Sequence, residues 1–288
     1  MELSVQNIGI IAKIHDPRCK QVAEELVDWL NGKGLTPLVE DTLAHFLGCE
    51  KGVVGREIPE KADLVVVLGG DGTLISVARL LAGREVPIVG VNLGSLGFLT
   101  EITISEMFPL LEDCFRGVYE ISERMMLQAN IFRDGGKIAE YKVLNDVVIN
   151  KGALARIIEM ETLIDGNHLT KFRADGLIVS SPTGSTGYSL AAQGPVVHPS
   201  LDCLVITPIC PHTLTNRPIV VSGDSLLAVT LRSKNEDVFL TLDGQIKLEL
   251  TSGDTVCVEK SSCKTRLVLS GNKDYFEVLR TKLKWGGR

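Results

Sequence analysis

Short apolar runs alternate with amphipathic stretches along the first part of the chain. Asn7-Ile-Gly-Ile-Ile-Ala-Lys13 predicts a strand. From Pro17 to Asn31, Val22, Leu26, Trp29 and Leu30 recur at helical spacing, and Gly32 and Gly34 end the pattern. Leu35–Val39 predicts a second strand, which Pro37 assigns to a sheet edge. No pattern emerges over 41–60. Asp63–Leu68 is a continuous Val/Leu run of the kind buried in parallel sheets, and Leu74, Val77, Ala78 and Leu81 then share one helical face. Val86–Asn92 predicts another strand and Ile104–Phe115 another helix. Strands that alternate with helices predict an α/β fold with a parallel sheet.

The texture changes at Tyr119. Ala129–Phe132, Tyr141–Leu144 and Ile157–Ile164 cluster or alternate at strand length. Asp134-Gly135 and Asp165-Gly166 mark hairpin turns. Strand-like runs continue at Val220, Leu226–Leu231, Val238–Leu242, Val256–Val258 and Leu267–Leu269. The expected organisation is an α/β domain of residues 1–118, joined by about 272–288, and a mostly β domain of residues 119–271. Asp274–Lys284 predicts a short helix that packs back on the first domain. Internal repeats and low-complexity linkers are absent from the sequence.

Composition narrows the class. With 288 residues, 44% of them hydrophobic, the chain can bury a sizeable core. A net charge of −6 leaves no basic excess to neutralise nucleic-acid phosphates. No run approaches the ~20 apolar residues of a membrane span, and the N-terminal stretch has no signal-peptide pattern. Seven scattered cysteines without a C-x-x-C pair predict buried thiols in a reducing cytoplasm rather than disulfides or a zinc site.

The candidate chemistry begins at Gly69-Gly70-Asp71-Gly72-Thr73, between a strand and a helix. Glycines there let the backbone approach a phosphate, and the helix N-terminus offers free N–H groups. Asp71 would repel that phosphate unless a metal intervenes or a proton has to be removed. By itself the turn reads equally well as a plain tight turn. P-loop and G-x-G-x-x-G motifs are both missing. A second stretch, Arg173–Tyr188, sets Ser, Thr and Gly residues between apolar segments and suits phosphate or ribose better than it suits a flexible loop. A third, Asn145-Asp146, interrupts an apolar strand. Taken alone, it reads best as a bulge or a strand end exposed to water.

Together these stretches resemble the NAD kinase family. The resemblance also takes in Asn92–Thr100, Pro208–His212 and Asp243-Gly244-Gln245, and covers residues 7 to about 270 in order. It implies transfer of the γ-phosphate of ATP to the 2′-hydroxyl of the adenosine ribose of NAD, giving NADP. It also implies an α/β domain and a β-rich domain with the site between them, a divalent metal such as Mg²⁺ carried with ATP rather than by protein ligands, and a homo-oligomer, dimer or tetramer. Asp71 would act on the 2′-hydroxyl, because a sugar hydroxyl is a poor nucleophile and gains from a positioned carboxylate. Gly69, Gly70, Gly72 and Thr73 would cradle phosphate.

By the same resemblance Asp71, Gly72, Asn145, Asp146, Asp175, Thr186, Gly187, Tyr188, Ser189, Leu190, Ala191 and Gln245 would contact NAD. Arg156 and Arg173 suit phosphate or carboxamide contacts and equally suit solvent. His212 is as well explained by a structural role as by a site role. The family more often has Asn-Glu at Asn145-Asp146 and Ala at Gly187, and both departures read as tuning. The rival readings are a sugar-phosphate or lipid kinase with a G-G-D-G turn, and a non-catalytic NAD or NADP sensor. Retention of Asp71 speaks against the sensor.

Overall fold

The computed structural model describes residues 5–153, 156–213, 215–234, 237–271 and 273–285. The start of the N-terminal stretch and the end of the C-terminal segment lie outside them. The chain divides into two compact units, Met1–Glu123 with Thr265–Arg288, and Arg124–Lys264.

The first unit begins with β1 (Asn7–Ala12), α1 (Cys19–Gly32), β2 (Thr36–Val39), α2 (Asp41–Leu47) and α3 (Ile58–Lys61). It continues with β3 (Leu64–Leu68), α4 (Asp71–Leu80), β4 (Ile88–Asn92), β5 (Ile102–Thr103) and α5 (Ile104–Phe115). The order β4-β3-β1-β2 is parallel throughout, with β2 at the edge as Pro37 predicts. Strands β3 and β4 are buried along their whole length, which explains their lack of polar alternation. Helix α1 buries Val22, Ala23, Leu26 and Leu30, and its Trp29 packs on Phe108 and Phe115 of α5 at ring distances of 5.2 and 5.8 Å. The patternless 41–60 segment holds two short helices. Glu40 caps the first by accepting the Thr42 and Leu43 N–H groups, and Pro59 sits in the first turn of the second.

The second unit is built from antiparallel strands. Most of β6 (Ile121–Arg133) belongs to it, followed by β7 (Gly136–Val143), β8 (Asp146–Lys151), β9 (Ile158–Ile164), β10 (Asn167–Ala174) and β11 (Gly176–Ser180). A short helix α6 (Tyr188–Ala191) precedes β12 (Cys203–Ile209), β13 (Ile219–Ser222), β14 (Leu227–Leu231), β15 (Val238–Leu242), β16 (Ile246–Leu250) and β17 (Thr255–Val268), whose last residues belong to the first unit. One sheet runs β13-β12-β11-β8-β15-β16, and a second includes β10-β9-β14-β17. Their apolar faces share a core that includes Leu127, Phe172, Leu177, Leu204, Leu240 and Val256. The two runs read as separate strands at Val256–Val258 and Leu267–Leu269 form one strand, β17, because its intervening polar residues still alternate with buried ones.

Asp134, Asp165 and Asp243 all have φ near +50°, each followed by a glycine at positive φ, so three Asp-Gly pairs turn hairpins. The chain ends its described part in α7 (Tyr275–Leu283), which is capped by Asp274 and belongs to the first unit.

Candidate functional site

The sheet of the first unit grows from β1 toward β2 on one side and toward β3 and β4 on the other. Crevices at such a reversal are where open α/β sheets place ligands. The turn after β3 lies at this point, with the Lys13 N–H donating to the Leu68 carbonyl. Gly69 donates its N–H to Val91, Gly70 caps α4, and Asp71 is the first helical residue. The helix thus starts three residues earlier than its apolar face predicts, and Asp71 sits where a helix N-terminus favours negative charge.

The loop after β4 folds over this carboxylate. Phe98 N–H donates to Asp71 Oδ2 at 2.8 Å. Asp71 Oδ1 accepts the N–H groups of Leu99 at 3.1 Å and Thr100 at 2.9 Å, together with the Thr100 hydroxyl at 2.9 Å. Asn92 holds the loop from within, its Oδ1 accepting the Gly94 N–H at 2.6 Å and its Nδ2 donating to Thr100 Oγ1 at 2.8 Å. The approach is so close that a Cβ on Gly97 would lie 1.9 Å from Asp71 Oδ1. Oδ1 is saturated and orients the group. Oδ2 accepts one N–H and keeps capacity for a further partner. The sequence singled out both glycine-rich stretches, but not that the second is the receptor for the carboxylate of the first.

A second cluster is built in the other unit. Asn145, Asp146, Val148, Asn150, Tyr188, Thr241, Asp243 and Gly244 line a cavity of about 350 Å³. Asp243, in the β15–β16 hairpin turn, accepts three successive backbone N–H groups, from Leu144 at 3.1 Å, Asn145 at 2.7 Å and Asp146 at 3.2 Å. Ser181 N–H donates to the Asn145 carbonyl, and a Cβ on Gly184 would come within 2.1 Å of that oxygen. The interruption of β8 is therefore a strand end, as the sequence suggests, but Asp146 is only 5% exposed rather than open to water. Its backbone needs are met by a carboxylate far along the chain. Asn145 Oδ1 is buried without a hydrogen-bond partner among the described residues, so the cavity presents an unspent polar group to a ligand. Burial, followed by the neighbouring Asp243 charge, pushes the Asp146 carboxyl up to about 7.

Asp243 was not singled out as a site residue, and the available signal was a third Asp-Gly pair of the hairpin kind. Thr186 and Gly187 belong to the turn beside Asn145, and Tyr188 reaches the cavity. Ser189 is fully buried and its hydroxyl pairs with Thr207, whereas Leu190 and Ala191 continue α6. Gln245 directly follows the Asp243-Gly244 turn. Asp175, Arg156 and Arg173 are not in this cavity. Asp146 faces Ser180 and Asn150 faces Gly176 across β8 and β11, so Asp175 lies at the other end of those strands, roughly 15 Å away at strand rise. There it pairs with Lys151 at 3.5 Å. Arg156 and Arg173 line a separate cavity of about 650 Å³ with Lys151, Glu159, Arg232 and Lys234. His212 is exposed, and its backbone N–H donates to the Arg173 carbonyl.

An α/β unit with an oriented carboxylate at its sheet reversal, and a β-rich unit with a polar cavity, define a two-domain nucleotide-binding architecture. Comparisons with known proteins agree. Residues 8–119 match the family described as ATP-NAD kinase N-terminal domain, and residues 144–270 match ATP-NAD kinase C-terminal domain. The NAD kinase of Geotalea daltonii is 66% identical over 99% of this chain and 100% of its own length, and that of Geobacter sulfurreducens is 62% identical over the same shares. Among solved structures, yeast NADH kinase complexed with NADH superposes with a TM-score of 0.91 at 24% identity, covering 99% of this chain and 89% of its own. An Archaeoglobus fulgidus NAD kinase in complex with ATP gives 0.78 at 24% identity, covering 97% and 99%. The chain belongs to the NAD kinase family.

Proposed function

We propose that this chain transfers the γ-phosphate of ATP to the 2′-hydroxyl of the adenosine ribose of NAD, forming NADP. The observation that carries the reading is the Asp71 carboxylate, with Oδ1 held by three donors and Oδ2 left with acceptor capacity. Oδ2 takes the proton of the acceptor hydroxyl as its oxygen attacks the γ-phosphorus. The P–O bond to ADP breaks, and ADP leaves with the bonding pair. Oriented carboxylates in this role contribute about 10²–10⁴ in rate. Turnover requires the acceptor hydroxyl to come within hydrogen-bond reach of Oδ2.

Asn145, Asp146 and the Thr186–Tyr188 turn bind the dinucleotide in this proposal. Gly69, Gly70, Gly72 and Thr73 face the donor phosphates. Among the described residues no group of three or more His, Cys, Asp and Glu side chains is placed to hold a metal. A divalent cation such as Mg²⁺, bound to the ATP phosphates, would compensate their charge. A cytoplasmic homo-oligomer, dimer or tetramer, completes the proposal. No helix among the described residues is long and apolar enough to cross a membrane.

The deciding experiment incubates purified protein with ATP and Mg²⁺ and offers NAD, NADH, fructose 6-phosphate or a lipid alcohol in turn. NADP formed from NAD is the expected result. Product from the sugar or the lipid alone would replace the proposal with one of the other G-G-D-G kinases.

A further inference from the structure

The loop that receives Asp71 is itself held from behind by the C-terminal segment. Lys282, near the end of α7, donates from Nζ to the Leu96 carbonyl and lies 5.7 Å from the centre of the Phe98 ring. Earlier in the same segment, Lys273 donates to the Glu101 carbonyl at 2.9 Å and pairs with Glu106 at 3.1 Å. The Ser270 N–H donates to Glu101 Oε1 at 2.9 Å. Helix α7 is anchored by buried Val278 and Leu279, so Lys282 is presented from a fixed element. Contacts from the C-terminal segment thus bracket residues 96–101, and the loop donors to Asp71 lie between them.

We propose that Lys282 is a positioning residue for Asp71, acting through the 96–100 loop. Leu96 precedes the tight turn in which the Gly97 N–H donates to the Thr100 carbonyl at 3.0 Å. Tethering the Leu96 carbonyl fixes one side of that turn. The Phe98 ring beneath the ammonium fixes the residue whose N–H reaches Oδ2. The Phe98 N–H and the acceptor hydroxyl must share that oxygen, so a shift of the turn changes where the proton-accepting lone pair points. The sequence offered a short C-terminal helix that packs back on the first domain, without indicating that it reaches the loop that holds Asp71.

The catalytic half of this inference rests on Asp71 being the base; the structural half does not. The test compares Lys282→Met, which keeps most of the apolar stem, with Lys282→Arg, which keeps a cation within reach of the carbonyl and the ring. In Lys282→Met, kcat is expected to fall about tenfold while KM for NAD moves less than about threefold, as for misplacement of a reacting group by a fraction of an ångström. Lys282→Arg is expected to recover most of the loss. Hydrogen exchange without substrates supplies a readout free of chemistry, with the amides of Phe98, Leu99 and Thr100 exchanging faster in Lys282→Met. Thermal melts come first, and if Lys282→Met is not folded, Lys282→Gln is measured in its place with the same expectations. Wild-type kcat, unchanged protection of the three amides, or a lost activity that Lys282→Arg does not recover would each overturn the proposal. Full turnover in Asp71→Asn would remove Asp71 as the base and with it the catalytic half, whereas faster exchange at the loop would still report the Lys282 tether, and the substrate panel decides the functional reading separately.

Discussion

Thr100 donates both its backbone N–H and its hydroxyl to the same oxygen of Asp71, each at 2.9 Å. Two donors from one residue lock the carboxylate plane in a way that a single contact cannot. The Thr100 hydroxyl is in turn fixed by Asn92 Nδ2, so orientation passes from the end of β4 to the start of α4. Thr100→Val removes the hydroxyl and keeps the volume. Turnover is expected to fall about tenfold, against 10² or more for Asp71→Asn, with NAD binding in both within a few-fold of wild type. Steady-state kinetics with calorimetric NAD binding separates the two effects, and equal losses in both variants would argue against a graded orienting role.

Gly97 admits no side chain. A methyl there would overlap Asp71 Oδ1 and come within 2.5 Å of Thr100 Oγ1. Gly97→Ala is expected to force the loop off the carboxylate and lower kcat by about 10² or more, as misplaced catalytic groups do. Because Gly97 and Thr100 are both buried, the melting temperature is expected to fall as well, so kcat is compared below the variant's own melting transition. Near-normal kcat in a folded Gly97→Ala would show that turnover does not need the loop in this position.

In the second unit, Asp243 supports the strand end to which the proposed function assigns dinucleotide binding. Its carboxylate satisfies the N–H groups of Leu144, Asn145 and Asp146. In Asp243→Asn, one acceptor becomes an NH₂ facing those donors. Leaving buried donors unpaired costs about 1–3 kcal/mol, so KM for NAD is expected to rise roughly tenfold while kcat at saturation changes less. A dominant loss in kcat would move Asp243 from positioning the binding strand to the reaction itself.

The raised carboxyl of Asp146 makes stability depend on pH. Burial and then the Asp243 charge disfavour its ionised form, so the folded state holds a proton up to about pH 7 that the unfolded chain releases near 4. Between those values the folded state binds more protons, and stability falls as pH rises. Asp146→Asn cannot ionise. Its melting temperature is expected to decline less between pH 5 and pH 8 than that of the wild type. Parallel profiles for the two proteins would show that Asp146 does not titrate in this window.

Arg133 and Asp254 carry the opposite sign. Asp254 is 1% exposed, and burial alone would raise its carboxyl. Arg133, bound through two nitrogens at 2.9 and 2.7 Å, and the Thr251 N–H outweigh burial and hold it below the usual range. This contribution is present above the ordinary carboxylate range and is lost as pH falls through the lowered value. Arg133→Met leaves a buried charge with one partner fewer and is expected to cost on the order of 2–4 kcal/mol in chemical denaturation at pH 7. A cost below about 0.5 kcal/mol would place the pair among ordinary surface bridges.

The apolar pattern by itself determined the parallel strands of the first unit, the edge position of β2, the β-rich character of the second unit and the hairpins at Asp134 and Asp165. These depend on burial and on turn chemistry, which repeat locally along the chain. It also marked the glycine turn and the polar pair at Asn145-Asp146 as places where a local rule is broken. The groups that satisfy those places were decided by the tertiary structure. Asp71 meets donors 27 to 29 residues away, Asn145 meets Asp243 at a separation of 98, and Leu96 meets Lys282 at 186. Periodicity says which face of an element is buried, but not which distant backbone group a carboxylate will find there. That choice depends on strand order and loop path, which bring β8 beside β15, and the loops after β3 and β4 beside each other.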